Sequence, residues 1–196
     1  MNRLLLLLAV SLLSACSSSP KIDSGLKSQL WLEHQLVVSG INSWNIKGRI
    51  AVKNDKESGT ATLHWNQNHS NFELRVVAPL GQGTYILKGT PDGVIMQDPK
   101  KNVMMAETPE KLLYEGLGWD ISLDGLVYWV RGIPDPYIDY SQLLLDDKGR
   151  LSNMKQSGFK ISVLRYTDYN GVSLPEKIFI ESDNIQLKLI IQNWKT

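Results

Sequence analysis

A chain of 196 residues with 42% hydrophobic content can build one domain around a sizeable apolar core. Its formal net charge of +1 selects neither nucleic acid nor a strongly anionic surface as partner. The only cysteine, Cys16, rules out an internal disulfide.

Met1-Asn2-Arg3 gives a short positive segment, and Leu4 to Leu13 is an almost unbroken apolar run. The run is too short to cross a bilayer and has the length of a signal-peptide core. Leu13-Ser14-Ala15-Cys16 follows, then Ser17-Ser18-Ser19-Pro20. This resembles a bacterial lipoprotein signal, and an ordinary secretory signal with an incidental cysteine is the competing reading. The resemblance implies cleavage before Cys16, diacylation of its sulfur, N-acylation, and attachment to a membrane through acyl chains. In such signals an aspartate as second mature residue implies inner-membrane retention, so Ser17 implies the outer membrane. The expected organisation is a signal at 1–15, a lipidated tether at 16–24 and a single β-barrel-like domain at 25–196.

From about Gly25 to Ser39, Leu26, Leu30, Trp31, Val37 and Val38 recur at near-helical spacing, predicting a moderately amphipathic helix that ends near Gly40. The period then changes to two. Trp44, Ile46, Ile50 and Val52 share one side of a strand, with Asn45, Lys47, Arg49 and Lys53 on the other. After a charged turn at 54–59, Ala61, Leu63 and Trp65 alternate with polar residues, and so do Phe72, Leu74 and Val76. Tyr85–Lys88, Val94–Gln97 and Val103–Ala106 continue the strands, separated by the turn clusters 90–93 and 98–102.

Two helices interrupt. Thr108-Pro109-Glu110 offers a hydroxyl cap, a proline at the first helical position and an acid in the first turn; Leu112, Leu113 and Leu117 follow, and Gly118 ends the helix. Ser122 caps a second helix carrying Leu126, Val127, Trp129 and Val130, ended by Gly132 and Pro134. Strands return at Tyr140–Leu145, Leu151–Gln156, Phe159–Tyr166, Val172–Ser182 and Ile185–Trp194. About eleven strands joined by short turns, without βαβ alternation, predict a mainly β fold with a few helices: an incomplete antiparallel β-barrel or deep half-pipe.

Catalytic chemistry is hard to find. His34, His64 and His69 lack ligand spacing and read as polar surface histidines; no nucleophile elbow or P-loop occurs, and Asp146 and Asp147 share a turn that they cap. The chain reads as a non-enzyme without metal. Apolar material stands out instead. A curled sheet of this size has an interior wider than its side chains readily fill, and two mid-chain helices suit a lid over an apolar cavity. One further oddity is the turn VVAPLGQGTY, which carries Leu80 where a polar residue is usual.

The lipobox, the helix with Trp31, WNIKGRIAV, LHWNQ, APLGQGTYIL, YWVRGIPDP and LKLIIQNWK together resemble the LolB family of outer-membrane lipoprotein receptors. The resemblance spans the mature chain and departs mainly in turns such as 54–59. It implies a monomer that accepts acylated lipoproteins from the periplasmic carrier LolA and inserts them into outer-membrane lipid, using no cofactor beyond its own acyl groups at Cys16. It also implies that Pro79, Leu80 and Gly81 form a protruding membrane-insertion loop. The cavity residues expected on the inward side are Ile50, Leu63, Trp65, Leu74, Val76 and Leu87, with Leu113, Leu117, Leu126 and Trp129 from the lid. A scaffolding lipoprotein with a filled core is the alternative.

Overall fold

The computed structural model describes residues 24–55 and 58–196; Cys16, the signal and most of the tether lie outside them. The chain runs α1 (Ser24–Ser39), β1 (Ser43–Asn54), β2 (Ser58–Asn68), β3 (Asn71–Val77), β4 (Thr84–Thr90), β5 (Gly93–Gln97) and β6 (Val103–Ala106). Then come α2 (Pro109–Leu117), α3 (Leu123–Trp129), β7 (Tyr140–Leu145), β8 (Leu151–Gln156), β9 (Phe159–Tyr169), β10 (Val172–Glu181) and β11 (Ile185–Lys195). All eleven strands form one antiparallel sheet in the order β6-β5-β4-β3-β2-β1-β11-β10-β9-β8-β7. β6 and β7 are its two edges, so the sheet curls without closing, the incomplete barrel expected from the strand count.

The period-two pattern sets the curl. Trp44, Ile46, Ile50 and Val52 of β1 are buried, as are Leu63 and Trp65 of β2 and Leu74 and Val76 of β3, while Lys47, Arg49 and Lys53 face outward. At Gly48 the β1–β11 register slips between Lys47 and Gly48, and a Cβ there would stand 2.3 Å from the Ile190 carbonyl oxygen. Only a residue without a side chain permits that approach, and the bulge bends β1 where the first strand meets the last.

The register gives the half-pipe two ends. Ser43 pairs with Asn68 at the end where α1 enters, and Lys53 pairs with Ser58 at the other. α1 crosses the first end: Lys27 Nζ lies 2.8 Å from Asp147 Oδ1 in the β7–β8 turn, and Ser39 leads directly into β1. The Pro79–Gly81 turn lies toward the second end, beyond the Thr62–Val77 pair. α3 starts beside that second end, where the Asn184 side chain donates to Asp120 (3.2 Å), and finishes near α1.

Three local expectations change. α1 buries Trp31 and Val38, yet Leu26 and Val37 are 48% and 54% exposed, so the helix is apolar on two faces rather than amphipathic. Thr108 makes no side-chain cap; Pro109 leaves one N–H fewer to satisfy. His34 is not a surface residue but packs between Trp31 and Tyr166, with centroids 6.4 and 6.1 Å away.

Candidate functional site

The concave face of the sheet and the two central helices enclose an apolar chamber. β1, β2 and β3 contribute Ile50, Leu63, Trp65 and Leu74; β10 and β11 contribute Ile180, Leu187 and Leu189. Leu113 of α2, Trp119, and Leu123, Leu126 and Val130 around α3 close it from above. The enclosed space is about 20 Å³, room for roughly one water-sized sphere. No polar surface lines it, so nothing there would hold water.

An open cleft of about 450 Å³ adjoins the chamber at the second end and shares Ile50 and Trp119 with it. Val76 and Leu117 line this cleft, together with Val52, Ala78, Pro79 and Tyr85. Thus six of the ten expected cavity residues surround the chamber and two line its mouth. Leu87 and Trp129 are buried elsewhere: Trp129 packs on Phe159 at 5.3 Å.

The lid is held as a unit. Ser122 Oγ accepts from the Gly125 N–H (3.3 Å), and Glu110 of α2 accepts from the Leu123 N–H (2.9 Å), so an α2 carboxylate helps cap α3. Burial, then the nearby Glu110 and Asp135, raise the Asp124 carboxyl above its ordinary range. Gln156 fastens the other end of the lid to β8. Its Oε1 accepts from Trp129 Nε1 (2.8 Å) and the Asp135 N–H (2.9 Å), and its Nε2 donates to the Asp135 and Ile138 carbonyls. Arg131 is buried at 4% exposure and donates to the carbonyls of Val127, Val38 and Ile41. Its charge thus sits at the carbonyl end of α1, where a helix carries partial negative charge. Sequence reading missed Gln156 and Arg131; the available signal was a glutamine two residues after Met154, on the inward side of β8.

Beyond the chamber, toward α1, the interior is aromatic. Trp44 lies 5.0 Å from Trp65 and 5.7 Å from Trp194, whose Nε1 donates to the Pro175 carbonyl at 2.9 Å. The opposite end carries the raised turn. Leu80 is 97% exposed and adopts φ 55°, ψ 29°, the left-handed region that an L side chain disfavours by about 1–2 kcal/mol. The turn is pinned at its base, where the Ala78 N–H donates to the Gly83 carbonyl (3.0 Å) and Gln82 N–H to Pro79 (3.2 Å). Gly83 has φ 114°, and a Cβ on it would meet the Pro99 Cβ at 2.3 Å. Among the described residues no cluster of three or more His, Cys, Asp or Glu could hold a metal ion.

Residues 42–194 match the family model described as outer membrane lipoprotein LolB. The chain belongs to the LolB family. It is 37% identical over 195 residues to the outer-membrane lipoprotein LolB of Nitrosococcus oceani, covering 97% of this chain and 96% of that protein. It is 34% identical to LolB of Stutzerimonas stutzeri, covering 94% and 90%. Two solved structures share the LolB-family chain's fold at 10% identity: a DUF1329 family protein from Desulfovibrio piger (TM-score 0.56, covering 87% and 92%) and a LolA superfamily protein from Nitrosomonas europaea (TM-score 0.55, covering 89% and 94%). The chain is therefore an outer-membrane lipoprotein built on a half-barrel. Among the described residues no helix is long and apolar enough to cross a membrane.

Proposed function

We propose that this LolB-family protein, anchored through acylated Cys16, accepts acylated lipoproteins from the periplasmic carrier LolA and inserts them into the outer membrane. The observation that carries the reading is Leu80. Folding disfavours it twice, by leaving an aliphatic side chain in water and by holding it at positive φ. A glycine or asparagine would relieve the backbone, so the leucine is kept for something outside the fold. It stands on the turn whose Pro79 borders the mouth of the apolar chamber.

The energetics fit a hand-over. Three acyl chains carry about 45 methylenes, and at ~0.8 kcal/mol each their exposure costs on the order of 35 kcal/mol. Such cargo has to pass from one apolar shelter to the next. With no nucleotide involved, direction comes from rising affinity along carrier, receptor and bilayer. Burying one leucine yields only ~1.5–3 kcal/mol, too little to anchor the protein and enough to perturb lipid locally as cargo leaves.

Replacing Leu80 with glutamate is the test. Folding and uptake of a lipoprotein from its carrier are expected to stay within a factor of two of the parent, with insertion into vesicles falling at least about tenfold, which is 1.4 kcal/mol. Loss of cargo uptake, or insertion left unchanged, would overturn the role given to this turn. One observation favours a second reading, a scaffolding lipoprotein: the chamber is nearly full in this state. That reading predicts no binding of a fluorescent fatty acid.

A further inference from the structure

α1 has a second apolar face. Leu26, Leu32, Leu36 and Val37 are 48%, 65%, 78% and 54% exposed and fall within an arc of about 140° at 100° per residue, opposite Trp31 and Val38. A helix with one stripe on the core and another in water is unusual for a surface element, and Leu36 stands out further than most aliphatic side chains are left. Gln29 and Glu33 fall inside that arc and engage each other, Gln29 Nε2 donating to Glu33 at 3.0 Å; Ser28 and Gln35 flank it, and Lys27 is held by Asp147. The outer stripe therefore carries one acid and no unengaged lysine or arginine.

Chain length identifies what covers it. Ser24 begins α1 eight residues after Cys16, and eight residues span at most ~29 Å when fully extended. An acylated Cys16 therefore keeps the start of α1 within ~29 Å of the membrane surface, whichever soluble partner is present. We infer that the outer stripe of α1 rests on the lipid surface that holds the Cys16 acyl chains, so that α1 is sandwiched between the half-barrel and the bilayer. The inference rests on the acylation reading, and it is separate from the transfer activity. Three acyl chains already anchor the chain; the stripe fixes how the body sits on the membrane.

Acylation consumes the only native thiol, so Leu36→Cys offers a single site for an environment-sensitive dye on the full acylated chain. In vesicles of phosphatidylethanolamine and phosphatidylglycerol, the dye at 36 is expected to shift blue, to be quenched by brominated acyl chains and to be shielded from iodide. The same dye on Lys47→Cys, on the outer face of β1, is expected to stay open to iodide. Adding Leu26→Glu and Leu32→Glu to the labelled chain should abolish the lipid quenching while circular dichroism and acyl anchoring are retained. Equal iodide access at 36 with and without vesicles overturns the inference. So does shielding that appears only when the carrier is added, since a protein then covers the stripe, and so does a mass showing Cys16 unmodified. Cargo uptake measured on the same sample separates the two claims: lipid quenching without uptake counts against the receptor function alone.

Discussion

The two ends of the half-barrel are built differently. At the α1 end, three buried tryptophans pack in tilted and edge-to-face pairs and Arg131 ties α1 to α3. At the mouth, a cleft of about 450 Å³ stands open to solvent, separated from the chamber by a wall that includes Ile50 and Trp119. Among the described residues, the roomy space at this end, about 450 Å³ against about 20 Å³ inside, lies outside that wall. On the proposed function, the lid leucines occupy the interior that cargo would take, so uptake would have to displace them, and affinity for cargo would be the transfer energy less the cost of that displacement.

Substitutions at either end sharpen the contrast. The largest effect is expected for Trp65→Ala, which removes a ring 2% exposed that serves both the tryptophan cluster and the chamber. It should destabilise by about 3–5 kcal/mol in denaturant unfolding. Trp119→Ala is expected near the low end of that range, about 3 kcal/mol, because its ring already borders solvent at the mouth. It should also join chamber to cleft and tighten binding of a fluorescent fatty acid; unchanged binding would mean that the wall lies elsewhere. Gly83→Ala forces a Cβ onto Pro99 at positive φ and should cost about 1–3 kcal/mol while leaving fatty-acid binding alone.

The smallest effect is a pH slope. Burial, then the neighbouring Arg150, lower the His34 pKa from 6.5, with Asp146 opposing them. Below pH 6.5 the unfolded chain binds the proton first, so stability is complete above that value and declines as pH falls toward the folded pKa. His34→Phe should flatten that part of the unfolding-free-energy profile. Asp146, held low by its hydrogen bonds to Arg150 and the Lys148 N–H against the penalty of burial, acts only below its ordinary 3.8, so the two windows separate. A slope retained in the phenylalanine variant would assign it to another group.

The strands were legible because their alternation survives folding unchanged: Ile50, Leu63 and Leu74 point inward as their spacing requires. The Asn170-Gly171 turn is equally local, with φ of 52° and 81°, although β9 runs on to Tyr169 rather than stopping at Tyr166. What stayed hidden depends on partners distant in sequence. Arg131 gains its meaning from carbonyls at Val38 and Ile41, about ninety residues away. His34 is enclosed by Tyr166, and the outer stripe of α1 becomes distinct from the inner one only once Trp31 and Val38 have chosen a side. The chamber's volume follows from how deeply the lid leucines settle, which no pattern along the chain encodes.

The placement of α1 and Leu80 at opposite ends of the strands has a mechanical consequence. From the Ser43 row to the Arg49 row, which pairs through Thr62 to Val77 at the base of the raised turn, β1 advances six residues, about 20 Å. With the acyl anchor proposed at Cys16, a body held beside α1 and tipped with leucine at the other end would act as a lever. On the proposed roles, the two lipid contacts would alternate: upright, the α1 stripe would rest on lipid with the mouth facing away, and tilted, Leu80 would reach the lipid as the stripe lifts off, without refolding.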